Sequence, residues 1–284
     1  YEELAWPRAF AALYRRHGVW LAAVLALALS AFLVLALALN GTLWREAAGG
    51  NFYAVFPHGV MVSIFGPVFL YALLALAVGA RRFWRHCIGQ PMAAAAAGPA
   101  AADVLRLKNL DGGHGEGCPN EDDRPSRARR RLHQVTLYGF LLCFASTAVA
   151  TLYHYGFGWQ APYAFLSVPV LLGTAGGIGL LIGPAGLYWL ARRRDPQLSD
   201  PAQAPLDTGL MLLLLLTSAT GLALLAGRAT PAMPLLLAVH LGCVLAFFLT
   251  MPYGKFAHAV YRSAALLAWA AERRQPNRLR VGGE

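Results

Sequence analysis

Six long apolar runs restrict this chain to one kind of fold. A spanning helix needs roughly 20 mainly apolar residues to cross about 30 Å of hydrocarbon. Runs of that length occupy approximately Val19–Leu39, Gly59–Ala80, Val135–Tyr155, Ser167–Leu190, Thr208–Ala226 and Met233–Tyr253. The expectation is an all-α polytopic membrane bundle of about six transmembrane helices, forming one membrane domain over residues 1–284. Composition agrees, since 57% of the residues are hydrophobic and 13% charged, against roughly 25% charged in a soluble domain.

Lysine and arginine orient the bundle. The N-terminal segment carries three, residues 81–131 ten, Arg192–Arg194 three and the tail from Lys255 six, which is 22 of 24. Arg45 and Arg228 fall in the intervening loops. Six spans put every rich loop on one face, and the positive-inside rule makes that face cytoplasmic, with both termini inside. Five or seven spans would scatter the same charges over both faces. The net charge of +10 therefore reads as loops held against an anionic inner leaflet, and not as a nucleic-acid surface. The expected location is the bacterial inner membrane. Tyr1–Gly18 carries Arg8, Arg15 and Arg16 and leads into a full span, which is not the pattern of a cleaved signal peptide. The long polar stretch 81–132 is expected as a cytoplasmic loop. Cys87, Cys118, Cys143 and Cys243 lack the close spacing of an iron–sulfur or zinc loop.

Ionisable side chains inside a bilayer are costly and mark functional positions. His17, His86 and His114 fall in polar segments and read as solvated, His114 within a glycine-rich setting. His240 and His258 are 18 residues apart, five full turns at about 100° per residue, so a continuous helix would present both on one face roughly 27 Å apart. His133 and His154 are 21 apart, about 60° off a common face and roughly 31 Å along the axis. The antiparallel course of these helices sets His133 level with His258 on the inner side, and His154 level with His240 toward the outside. Two imidazoles facing each other near each membrane surface suit two haems stacked through the bilayer. Each histidine alone would serve equally as an interfacial hydrogen-bonding residue; the paired levels favour ligation. Pro252 should kink the last helix just before His258. The glycine-rich stretch Gly173–Gly186 allows close approach of a neighbouring helix or of a flat macrocycle, helix packing being the simpler use. His58, with Tyr53 and Phe56 at the outer start of the second span, reads as part of an aromatic belt, as a donor to a quinone carbonyl, or as a replacement for His154.

The stretches GNFYAVFPHGVMV (Gly50–Val62), LKNLDGGHGEGC (Leu107–Cys118), RRRLHQVTLYGFLLCFASTAVATLYHY (Arg129–Tyr155) and MPYGKFAHAVYRSAALL (Met251–Leu267) resemble tricarballylate (citrate) utilization protein B. The resemblance covers nearly the whole chain. It implies a membrane domain that follows a ferredoxin-like domain with two 4Fe–4S clusters, a domain this chain looks to be without. The implied partner is a flavoprotein tricarballylate dehydrogenase, whose electrons pass through the clusters to the membrane quinone pool. The last helix is more distantly similar to the haem b subunit of respiratory nitrate reductase, whose haem-ligating histidines share the 18-residue spacing of His240 and His258. His240 and His258 match those positions; with the third-helix histidines placed by level, the expected haem-iron ligands are His133, His154, His240 and His258, and His58 and Tyr53 are the candidate quinone contacts. The spacing of His133 and His154 departs from that pattern. Asp111–Cys118 and Arg127–Arg131 are expected to dock the cluster domain. The competing functions are a tricarboxylate transporter, against which the lack of a recognisable inverted repeat argues, and a haem-free membrane anchor.

Overall fold

The computed structural model describes residues 2–43, 50–91, 94–110, 118–119, 125–193 and 200–274. Nine helices carry the described fold: α1 (Arg8–Leu39), the single-turn α2 (Phe52–Val55), α3 (His58–Phe83), α4 (Ala97–Arg106), α5 (Ala128–Phe157), α6 (Val168–Arg193), α7 (Ala204–Gly227), α8 (Met233–Thr250) and α9 (Phe256–Glu272). A two-residue ladder pairs Cys118–Pro119 with Pro125–Ser126. Six helices are long and apolar enough to cross a membrane, namely α1, α3 with its π-turn to Ile88, α5, α6, α7 with its preceding turn, and α8. Each contains most of one predicted run. The helices extend beyond the runs at several ends because polar residues there continue the backbone ladder outside the apolar slab. Call the end bearing Arg8, Arg81, Arg129 and Arg193 the basic end.

Small residues line much of the inward face of α1, alongside Leu33 and Leu37. On α1, Trp20 is 75% and Leu27 72% exposed, whereas Ala22 and Ala26 are 0% and 4% exposed. Lipid tails solvate Leu and Trp as well as a protein core does, so close packing of small residues decides which face turns inward. Gly242 of α8 lies so close to Ser30 of α1 that any side chain would collide with it, and Ser30 Oγ donates to the Val239 carbonyl at 3.1 Å. The glycine-rich stretch of α6 serves helix packing. A Cβ on Gly176 would stand 2.7 Å from the Cys143 amide nitrogen of α5, so α5 and α6 meet nearly backbone to backbone.

Two elements depart from the sequence reading. The last predicted helix is broken between Thr250 and Phe256, where Pro252 removes an amide from the ladder and Gly254 follows it. His240 and His258 therefore belong to separate helices, α8 and α9, and a common face cannot be read from their spacing. The polar stretch between the second and third spans also contains a helix, α4, packed on α9 through Ala96, Ala100 and Ala270. Arg273 ties the two together, donating to Asp103 at 2.9 Å. Arg130 and Tyr138 of α5 donate to the carbonyls of Arg106 and Leu105, each at 3.0 Å, closing the C-terminal end of α4.

Candidate functional site

Histidines collect at two levels. At the basic end, His133 lies in the second turn of α5 and His258 in the first turn of α9. The two lie within electrostatic reach of each other, and both within reach of Arg262 and Asp207. Burial pushes His258 below its ordinary value, as do the Lys255 and Arg262 charges; Asp207 opposes them. A neutral imidazole is the form that ligates a metal.

At the opposite end, His58 opens α3 and His154 lies in the last turn of α5. Their rings stack with centroids 4.3 Å apart and planes 17° from parallel. Tyr53 packs on both, at 5.2 Å from His58 and 5.7 Å from His154. Tyr155 Oη lies 3.5 Å from His58 Nε2. Burial, and then the neighbouring Tyr155 phenol, raise Tyr53 above its ordinary value, which keeps it a neutral hydrogen-bond donor. His154 Nδ1 is buried with no hydrogen-bond partner among the described residues, a polar atom available to a bound group.

His240 occupies a different niche, about two turns inside α8. Its Nδ1 is 3.1 Å from Thr220 Oγ1 of α7. Thr220 Oγ1 also lies 2.6 Å from the Leu216 carbonyl and 3.2 Å from the Thr217 carbonyl, so a Thr220 hydroxyl that donates to the backbone is an acceptor for a proton on His240 Nδ1. In that tautomer Nε2 is the nitrogen that would ligate a metal. The ring also lies against Gly221, where a Cβ would stand 2.9 Å from His240 Cε1. Between the two levels, Phe140 of α5 packs against Phe247 of α8 at 6.1 Å and Phe256 of α9 at 5.3 Å.

The structure thus brings His133 to His258 and His154 to His58. Depth explains the second pairing, because His154 ends its helix where His58 begins one, whereas His240 sits deeper in the bundle. The sequence reading missed Thr220, Gly221, Tyr155, Arg262 and Asp207, and gave Arg129 a docking role alone. Of these, Arg129 and Arg262 had a signal, each lying four residues from a histidine on one helix face. His86 Nδ1–H donates to the Arg82 carbonyl, 2.8 Å away, on the surface. His114 and most of the segment Asp111–Cys118 lie outside the described residues.

The observation that bears on a haem is the buried His154 Nδ1, which has no hydrogen-bond partner among the described residues and is open to a metal. Fold and site together define a polytopic helical membrane protein with imidazoles at two depths. Residues 11–278 match the family model for citrate utilization protein B. A relative from Escherichia coli, itself named citrate utilization protein B, is 52% identical over 284 residues, covering 100% of this chain and 75% of the relative. The chain belongs to the citrate utilization protein B family. No solved structure matches it.

Proposed function

We propose that this protein is a membrane electron-transfer subunit for citrate or tricarballylate utilization. It receives electrons from a flavoprotein tricarballylate dehydrogenase, by way of 4Fe–4S clusters in a separate domain, and delivers them to quinone through two b-type haems. The observation that carries the reading is the placement of imidazoles at two depths of one bundle. His133 and His258 would hold the inner haem. His240 would hold the outer one on one side, with the stacked pair supplying the other ligand, His154 as first choice and His58 as its replacement. Haem bound there supplies a one-electron carrier at each level.

The remaining roles fall to the chain's own side chains. Thr220 fixes the tautomer and aim of His240. Tyr53, with the histidine not engaged by metal, presents a phenol and an imidazole that donate and accept protons at a quinone carbonyl. Phe140 and Phe247 exclude water between the levels. The basic end faces the cytoplasm of a bacterial inner membrane in this reading, where the electron donor binds.

A reduced-minus-oxidised spectrum of the purified protein, with a haem assay, tests the proposal. Two low-spin b haems per chain are expected. A colourless, folded protein that still supports quinone reduction would overturn the haem assignment and leave a docking anchor. Substrate-dependent accumulation of labelled tricarballylate in sealed vesicles, without electron transfer, would overturn the whole reading in favour of transport.

A further inference from the structure

Among the described residues, the loops at the end opposite the basic one carry a single lysine or arginine, Arg228, and no carboxylate. Arg228 directly follows α7 and is half-buried. Its side chain reaches the segment that joins α5 to α6. There Nη1 donates to the Tyr163 carbonyl at 2.8 Å, and the guanidinium carbon lies 3.7 Å from the centre of the Phe165 ring. Its backbone meets a second segment, the one leading into α2. A Cβ on Gly50 would stand 2.8 Å from the Arg228 carbonyl oxygen, and Gly50 adopts a φ of 73° there, so close approach and conformation both call for glycine.

Both segments lead to the outer imidazole pair. The first carries Tyr163, whose hydroxyl lies 3.1 Å from the Ala150 carbonyl of α5 and 3.2 Å from the Trp159 carbonyl. Its ring packs edge-on to Tyr153 at 5.5 Å, and it lies within electrostatic reach of Tyr53. The second carries Tyr53, packed on His58 and His154. A single helical turn such as α2 has no stability of its own, so the place of Tyr53 depends on its flanks. Val55 and Phe56 are buried in the core on one side, and Gly50 rests on Arg228 on the other. A planar guanidinium that hydrogen bonds along its edge and stacks on its face fixes one geometry.

We propose that Arg228 is a positioning residue for the outer site, joining the α2 segment to the α5–α6 segment and so holding Tyr53 and Tyr163 as the wall of a pocket beside His58 and His154. The inference rests on the quinone site proposed above, and Arg228 itself makes no contact with the quinone. The guanidinium is turned to a carbonyl and an aromatic ring, which leaves phenols and imidazoles as the polar lining. That lining suits a flat, neutral ring with hydrogen-bonding carbonyls.

Titration calorimetry of the full chain in detergent with a short-chain ubiquinone and a short-chain menaquinone tests the assignment without haem or an electron donor. Arg228→Met, which keeps length and removes charge and donor, should weaken binding about tenfold. Arg228→Lys restores a charged donor for the Tyr163 carbonyl and should recover most of that loss. A double-mutant cycle with Tyr53→Phe separates positioning from general support of the fold. The two losses should not add, because a displaced Tyr53 has no hydrogen bond left to lose. Should Arg228→Met fail to fold, Phe165→Leu takes its place in the same cycle, removing only the ring under the guanidinium, with a loss of about threefold expected. Wild-type binding that is unchanged in the variant, or losses that add in the cycle, overturns the positioning role and leaves the quinone site standing. No binding of either quinone by the wild type overturns both.

Discussion

At the basic end, His133 and His258 stand among Arg129, Lys255, Arg262 and Asp207, whereas at the opposite end His58 and His154 stack on each other within a fringe of tyrosines. The same side chain is therefore set in two different fields. Charged neighbours at the first end favour a charged partner surface. Neutral phenols at the second favour a ligand that is itself neutral and exchanges hydrogen bonds, as a quinone ring does. The difference between the ends follows from what surrounds the imidazoles, since the imidazoles themselves are alike.

The largest effect is expected where both ends are attacked together. α5 carries His133 and His154 and meets α6 across Gly176, so Gly176→Leu must separate the two helices. A cost of about 1–3 kcal/mol from overpacking and loss of both haem components are expected, measured by thermal unfolding and by spectrum. Retention of both components would show that the α5–α6 seam does not position the histidines.

Next come substitutions that divide the ends. His258→Ala should remove the inner haem component and His240→Ala the outer, because the two residues belong to different helices at different depths. Loss of one component in both variants would place both histidines on one haem. In His240→Ala, reduction by the electron donor should persist while reoxidation by quinone slows.

A smaller effect is expected from Thr220→Val, which keeps the shape of the side chain and removes the acceptor for His240 Nδ1–H. Outer-group affinity should fall about 10–100-fold, as for other supporting partners of metal-bound histidines. The inner component serves as the internal control. An unchanged outer component would mean that His240 is oriented by packing on Gly221 alone.

The smallest effect belongs to the tyrosine fringe. Tyr53→Phe removes one hydrogen-bond donor worth about 1 kcal/mol, so quinone reduction should slow roughly five- to tenfold with both haem spectra intact. A rate equal to the wild type would move the quinone contact elsewhere in the fringe, with Tyr155→Phe as the next variant to measure.

The sequence by itself determined the six helices and the segregation of charge. Apolar run length is fixed by bilayer thickness and needs no knowledge of neighbours. It also showed the residues of chemical interest, because histidine is conspicuous in so apolar a chain, and it placed His133 level with His258. Tertiary structure decided the rest. His154 meets His58 because α3 begins where α5 ends, a matter of how loops of different lengths return the chain across the bundle. Thr220 and Gly221 receive His240 only because α7 packs beside α8, and no spacing along the chain connects positions 20 residues apart on two helices. The break at Pro252 and Gly254 was legible as a kink, yet its extent depended on what α9 could pack against. α9 turns to α3 and α4 through Tyr261 and Ala270, and those contacts, made between residues far apart in sequence, are what carry His258 and Arg262 to His133.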